Sequence, residues 1–258
     1  MIDKALYVAM TGASATLRAQ GSVAHNLANT DTVGFQATLS GTVATPVTGP
    51  GLATRVAAAH RTLGVSAAPG AIMSTGNPTD VALHEGRWLA VQAPDGGTGY
   101  TRAGDLRISA NGLLTTASGH PVLDQGGAPV AIPPHETLTI GNDGTISIVP
   151  LGQPPSTITE AGRLQVVAAE TAQLQRGDDG LMRVAPGTEP PPPAAGAEPP
   201  PPAAGAVLTA GAIEGSNVDS TAMLVSMIQL ARQFEMQVRV LQSGDESARA
   251  SNSLLSSR

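Results

Sequence analysis

The chain contains no cysteine. This excludes disulfides, thiolate nucleophiles and cysteine-ligated metal centres, and leaves either side of a membrane open as its compartment. Aromatic residues make up 2% of the sequence, two Phe, two Tyr and one Trp, too few to stack on bases or sugars. Lys4 is the single lysine among 14 basic residues, and the net charge is −6. The arginines are scattered, so the basic stripe that a phosphate backbone requires is missing and nucleic acid is not expected as a partner. No run of 18 apolar residues occurs, so nothing reads as a membrane-inserted helix. The opening stretch MIDKALYVAMTGASA carries a lysine, an apolar segment and Ala13-Ser14-Ala15. That segment, Ala5 to Met10, is shorter than the ~7–15 residues of a signal core, Thr11-Gly12 interrupts it, and Asp3 weakens its basic end. No cleaved signal peptide is expected.

With 258 residues and 41% hydrophobic content, the chain can bury a core. Its ends share one pattern. Leu6, Met10, Ala13, Leu17, Ala24 and Leu27 are spaced by alternating fours and threes, with Gln20 in the one polar position, so Lys4 to Ala28 reads as an amphipathic heptad helix. Leu224, Met227, Ala231, Phe234, Val238 and Leu241 repeat the spacing, with Arg232, Glu235, Gln237 and Arg239 off the seam. Asp219 is placed to cap this second helix, and Val218 with Met223 to staple it. Each stripe lacks a partner within its own helix, and isolated helices are marginal in water. The ends are therefore expected to be loosely held in a single chain and to pair as a coiled coil on assembly.

The middle follows a different period. From about Asp80 to Val184, alternating segments such as GRWLAVQA, GDLRISA, LLTTAS and TISIV are separated by Asp95-Gly96, Asn111-Gly112, Asp143-Gly144 and Asp179-Gly180. Those dipeptides supply the positive φ angles of tight hairpins, so an antiparallel β domain is expected. EPPPPAAGA occurs twice in tandem, from Glu189 to Ala206. Its prolines exclude helix and sheet interior and favour a semi-rigid exposed tether. The fold class is therefore mainly β, a central antiparallel domain flanked by two terminal heptad helices. The expected organisation is 1–36 for the N-terminal axial helix and joint, 37–72 for an extended connector, 73–188 for the β-rich outer domain, 189–206 for the Pro-rich linker, and 207–258 for the C-terminal axial helix.

Chemistry-bearing patterns are sparse. The five histidines, at 25, 60, 84, 120 and 135, show no i, i+4 pairing and no H-E-x-x-H, so no metal site is expected. There is no G-x-S-x-G elbow and no S-x-x-K. GGTGYTRAG lies between strand-like segments and opens no helix, so it is not a phosphate loop. GDDG, 177–180, reads as a hairpin turn rather than a calcium site. The most enzyme-like grouping is His84-Glu85 with Asp80 near Trp88, and it too reads as a solvated polar edge. No catalytic residue, cofactor or metal is expected. The polar stretch SVAHNLANTDTVGFQA, 22–37, reads as the place where the first helix stops: Leu27 closes the seam, Ala28-Asn29 end the periodic run, Thr30, Asp31 and Thr32 bond nearby backbone, Gly34 gives a permissive φ, and Phe35 anchors the outgoing chain. His25 and Asn26 are expected at contacts with other subunits.

Three blocks then resemble the axial proteins of the bacterial flagellum. ALYVAMTGASATLRAQGSVAHNLANTDTVGF is similar to the family's N-terminal motif, in which a helix ends in N-N-L-A-N-x-x-T-x-G-F; His25 stands where Asn or Ser is usual. TGNPTDVALHEGRWLAVQAPDGGTGYTRAGDLRISANGLLTTASGHPVL resembles its β-core signature, with Y-T-R-x-G at Tyr100 to Gly104. EGSNVDSTAMLVSMIQLARQFEMQVRVLQSGDE is similar to its C-terminal pattern, with Asp219-Ser220 where Asn-Pro is common. The opening MIDKALYVAM and the RWLAVQ strand look closer to proximal-rod than to distal-rod members.

The resemblance implies a structural subunit of the proximal rod that polymerises through its terminal helices to transmit torque. Its partners would be other proximal and distal rod subunits, itself, and the flagellar type III export apparatus. It would lie in the periplasmic rod of the basal body, exported without a cleaved signal. The residues expected at assembly contacts are Leu6, Met10, Leu17, Asn26, Leu27, Asn29, Gly34 and Phe35 at one end, and Leu224, Met227, Phe234, Val238 and Leu241 at the other. The alternative is a secreted β-rich adhesin or adaptor oligomerising through its helical ends.

Overall fold

A computed structural model of the chain describes residues 2–48, 55–185 and 206–256. The expected tether lies outside the described residues, except for Ala206. The chain forms two compact units, one of residues 1–30, 38–63 and 218–258 and one of residues 31–37 and 64–217.

The first unit is built on α1 (Ile2–Ala28) and α2 (Ser220–Ser256), with the hairpin β1 (Thr38–Pro46) and β2 (Val56–Val65) beside α1. The helices run antiparallel. A Cβ on Gly12 would stand 3.4 Å from Nε2 of Gln237, and one on Gly244 would stand 3.6 Å from Cγ of Leu6, so rising numbers on one helix meet falling numbers on the other. Where loosely held ends were expected, a single chain has both ends helical and packed together, because each helix covers part of its neighbour's apolar side. The start of α2 follows its capping signal: Asp219 Oδ1 accepts the Ala222 N–H at 3.0 Å, at the third helical position.

The second unit is mainly β, with one 3-10 turn at Thr171–Gln173. Its strands are β3 (Ile72–Ser74), β4 (Val81–Leu83), β5 (Arg87–Gln92), β6 (Thr98–Thr101), β7 (Leu106–Ile108), β8 (Leu114–Thr116), β9 (His135–Ile140), β10 (Thr145–Pro150), β11 (Thr159–Arg163), β12 (Val166–Ala168), β13 (Leu174–Arg176), β14 (Met182–Val184), β15 (Leu208–Ala210) and β16 (Ala212–Glu214). A five-stranded antiparallel sheet has the order β12-β5-β6-β14-β13, a three-stranded sheet the order β11-β10-β9, and the pairs β15-β4, β16-β3 and β7-β8 complete the unit. The RWLAVQ strand, β5, is buried on both faces. Leu89 and Val91 enter a large cluster with Leu106, Leu114, Ile146 and Leu208, while Trp88 and Ala90 join a second one with Tyr100, Val167 and Met182.

Two features depart from the sequence expectation. The four Asp-Gly and Asn-Gly turns are tight, but only their glycines have positive φ: Gly96 at 81°, Gly112 at 75°, Gly144 at 87° and Gly180 at 81°. Each glycine N–H bonds the carbonyl three residues back, as Gly144 does with Gly141 at 2.9 Å. These are type I turns closed by a glycine bulge rather than primed two-residue turns. The acidic side chain stays at negative φ and accepts an N–H two residues on, as Asp143 Oδ1 does from Thr145 at 3.1 Å. The second departure is at 207–217, assigned above to the C-terminal helix. There β15 pairs with β4 and β16 with β3, and the helix begins at Ser220. Three-residue strands carry too little periodicity to register in a sequence.

Candidate functional site

The helix-ending motif and the EGSNV motif lie far apart in the chain, 180 residues between Ala37 and Asn217, and the second unit brings them together. Gly34 donates its N–H to the Glu214 carbonyl at 2.7 Å, and the Asn217 N–H reaches the Phe35 carbonyl at 3.2 Å. Asn217 uses its whole amide. Oδ1 accepts the Ala37 N–H at 2.6 Å, and Nδ2 donates to Gln36 Oε1 and to the Ala68 carbonyl, each at 2.7 Å. At the centre lies an ion pair between Arg102 and Glu214, 5% and 1% exposed. Arg102 Nε donates to Glu214 Oε2 at 2.8 Å. The rest of the guanidinium caps three carbonyls: Arg87 at 2.8 Å, Leu83 at 3.0 Å and His84 at 3.3 Å. The other carboxylate oxygen accepts the Gly70 N–H at 2.9 Å and the Gln36 amide at 3.3 Å. Charges so deeply buried persist only when paired and fully hydrogen-bonded, and this pair is.

Gly34 is required here for two reasons. Its φ is +67°, and a Cβ would stand 2.2 Å from the Arg102 carbonyl carbon, 2.3 Å from its oxygen and 2.4 Å from the Ala103 nitrogen. Gly104, which closes the Y-T-R-x-G step, is as tightly set: a Cβ would fall 1.7 Å from the Val81 carbonyl oxygen. Phe35 is buried beneath Arg176, whose guanidinium carbon lies 4.3 Å from the ring centroid and which donates to the Gln36 carbonyl. Burial pulls the Arg176 pKa below its ordinary value. Sequence reasoning singles out none of Arg102, Glu214, Gln36, Asn217 and Arg176. Only the motif letters of the resemblance point to Arg102, in Y-T-R-x-G, and to Asn217, in the SNV of EGSNV.

In the first unit, Asn26 is 4% exposed. Expected at a subunit contact, it instead clasps one residue of its own chain, donating to the Thr38 carbonyl and accepting the Thr38 N–H, both at 2.9 Å. A buried amide needs such partners, and the backbone entering β1 supplies them. Asn29 Nδ2 donates to the His25 carbonyl at 2.9 Å and helps close the helix end.

The expected seam residues divide. Leu6, Leu27, Met227, Phe234, Val238 and Leu241 are partly buried. Met10 and Leu17 are 58% and 56% exposed, and Leu224 49%. On α1 the exposed positions Tyr7, Met10, Ser14, Leu17, Gly21 and Ala24 form a second heptad line. On α2 Val225, Ile228, Met236 and Val240 are also half exposed or more.

The enzyme-like grouping is structural. Asp80 is held by the Thr75 hydroxyl at 2.7 Å and the Asn77 amide at 2.9 Å. His84 Nε2 lies 3.2 Å from the Thr209 hydroxyl, and Trp88 Nε1 donates to the Ala169 carbonyl at 3.2 Å. The adjoining groove is lined by Glu85, Arg87, Glu170 and Thr171. Among the described residues no three His, Cys, Asp or Glu side chains are grouped to hold a metal ion, and no helix is long and apolar enough to cross a membrane.

The chain is similar to known proteins along nearly its whole length. Residues 6–36 match the family described as flagella basal body rod protein, residues 85–148 the flagellar hook protein FlgE/F/G D1 domain, and residues 209–254 the flagellar basal body rod FlgEFG protein C-terminal region. The flagellar basal-body rod proteins FlgF of Salmonella typhimurium and of Escherichia coli are each 43% identical to the chain over 255 residues, 99% of both partners. FlgF of Mesorhizobium japonicum is 31% identical over 91% of the chain and 90% of its own length.

Proposed function

The chain belongs to the flagellar basal-body rod protein family, and from that premise we propose that it is a structural subunit of the proximal rod, with no enzymatic task, that polymerises through its terminal helices and carries torque from motor to hook. One observation carries the reading. After α1 and α2 have packed on each other, each still presents a line of large apolar side chains half or more exposed, Tyr7, Met10 and Leu17 on one and Val225, Ile228, Met236 and Val240 on the other. Lines of that length on both helices mark surfaces that other subunits cover. On this reading its partners are the other rod proteins and further copies of the chain, its location is the periplasmic rod, and its export route is the flagellar type III apparatus. Family membership leaves the adhesin or adaptor alternative without a supporting observation.

Deletion of the gene should abolish motility and leave basal bodies whose rods are missing or truncated under electron microscopy. Complementation with Met10→Gln plus Leu17→Gln separates assembly from folding. Both residues are exposed, so the isolated chain should keep its stability to within about 0.5 kcal/mol per site, while rods fail to form. A motile deletion strain would refute the reading.

A further inference from the structure

The chain passes between the two units at 30/31, 37/38, 63/64 and 217/218, and two of the segments at these crossings, 31–37 after α1 and 214–217 before α2, are tied to one another. Gly34 bonds Glu214, Asn217 bonds Phe35, Gln36 and Ala37, and Glu214 binds Gln36 while gripping Arg102. Arg102 stands directly after β6, a central strand of the five-stranded sheet, and its remaining N–H groups hold the carbonyls of Leu83, His84 and Arg87, which border β4 and β5. A pull on either segment therefore runs through directional bonds into the middle of the sheet rather than into a loop.

We propose that the Arg102–Glu214 pair, with Gln36 and Asn217, is a mechanical clamp that keeps segments 31–37 and 214–217 together under load. The proposal rests on the torque-bearing reading above. A buried ion pair is a costly route to stability alone, since an apolar pair of similar volume usually serves as well. What it adds is a set of oriented bonds that must break together. Arg102, Glu214, Gln36 and Asn217 are in this sense positioning residues.

The test separates stability from load. The full chain is held by handles at residues 30 and 218 in an optical trap, and the opening rate of the β unit is read at constant force. Arg102→Met with Glu214→Met removes the pair and leaves the carbonyls of Leu83, His84 and Arg87 and the Gly70 N–H without these partners, so its midpoint should fall; compared with a core variant of equal midpoint, taken from Ile146→Val and Ile146→Ala, it should open several-fold faster under force. A double variant that opens under force no faster than the core variant of equal midpoint overturns the clamp. Should that variant not fold, Asn217→Ala against the same control gives the same reading, because it removes the side-chain bonds to Gln36, Ala37 and Ala68 and leaves the two core clusters intact. Opening faster than the control supports the clamp, and opening no faster overturns it. In cells, either variant should swim in dilute medium and lose motility in viscous medium. Normal swimming in viscous medium by a strain whose deletion parent is immotile refutes the clamp and leaves the rod reading standing, whereas a motile deletion parent refutes the rod reading itself.

Discussion

Replacing Gly34 by alanine tests the joint at its tightest point. Two costs add. A non-glycine residue held at φ +67° loses about 1 kcal/mol through contact of its Cβ with the adjoining carbonyl. The second cost comes from space: the new methyl would sit 2.2 to 2.4 Å from three backbone atoms of Arg102 and Ala103. Backbone cannot rotate away as a side chain can, and the Arg102 side chain is anchored by hydrogen bonds to Glu214, Leu83, His84 and Arg87, so this overpacking should add about 1–3 kcal/mol. The sum is about 3 kcal/mol, or a fall of roughly 6–12 °C in the midpoint of a unit of this size.

Gly180 supplies the control, with φ +81° and no atom within 4 Å of a Cβ. Gly180→Ala should cost only the conformational part, and Gly180→Asn should recover much of that, since asparagine tolerates the left-handed region. Gly34→Asn should recover nothing, because its Cβ meets the same atoms. Calorimetry of the four variants measures all of this. Equal losses at the two glycines, or a rescue by asparagine at position 34, would refute the claim that close approach governs the joint.

Asn26→Ala should cost about 2 kcal/mol by removing the side-chain partners of the half-buried N–H and C=O of Thr38, and should raise amide exchange at Thr38 far more than within α1. Burial, against the pull of its own backbone N–H and of Arg107, raises the Asp105 carboxyl above its ordinary pKa, with the Asp80 charge adding to the rise. The folded state then binds that proton more tightly than the unfolded one, so stability falls as pH rises through the window between the ordinary and the raised value. Asp105→Asn should raise the midpoint at neutral pH and give no gain in strong acid. Asp143 behaves in the opposite sense. Burial pushes its carboxyl up, but the hydroxyl and N–H of Thr145 and the charge of Arg163 outweigh it and hold the pKa low. Its contribution is present above the ordinary carboxylate range and lost as pH falls through the lowered value. Asp143→Asn should therefore weaken the hairpin at neutral pH, by an amount that solvent screening keeps small, and show no difference in strong acid.

The heptad spacings, the Asp219 cap and the glycine turns are legible because each is a local pattern, set by residues within one turn of helix or one hairpin. The same locality explains the errors. A seam of Leu6, Met10, Leu17 and Leu27 says that α1 is one-sided. It does not say how the stripe divides between a helix of its own chain and the solvent face, since that depends on where α2 lies. Asn26 reads as a contact residue because the sequence places nothing beside it, and the backbone of Thr38 arrives only on folding. Strands as short as β15 and β16 have no period to read.

Element types, helix ends and the family were already present in the order of the residues, since they follow from spacing, caps, turn glycines and motif letters that act over a few positions. Folding in three dimensions was needed for the rest: Arg102 and Glu214, 112 residues apart, meet at 5% and 1% exposure. A buried charge is tolerated only when distant strands deliver its counter-charge and every remaining hydrogen-bond partner to one place, and no local pattern encodes that delivery.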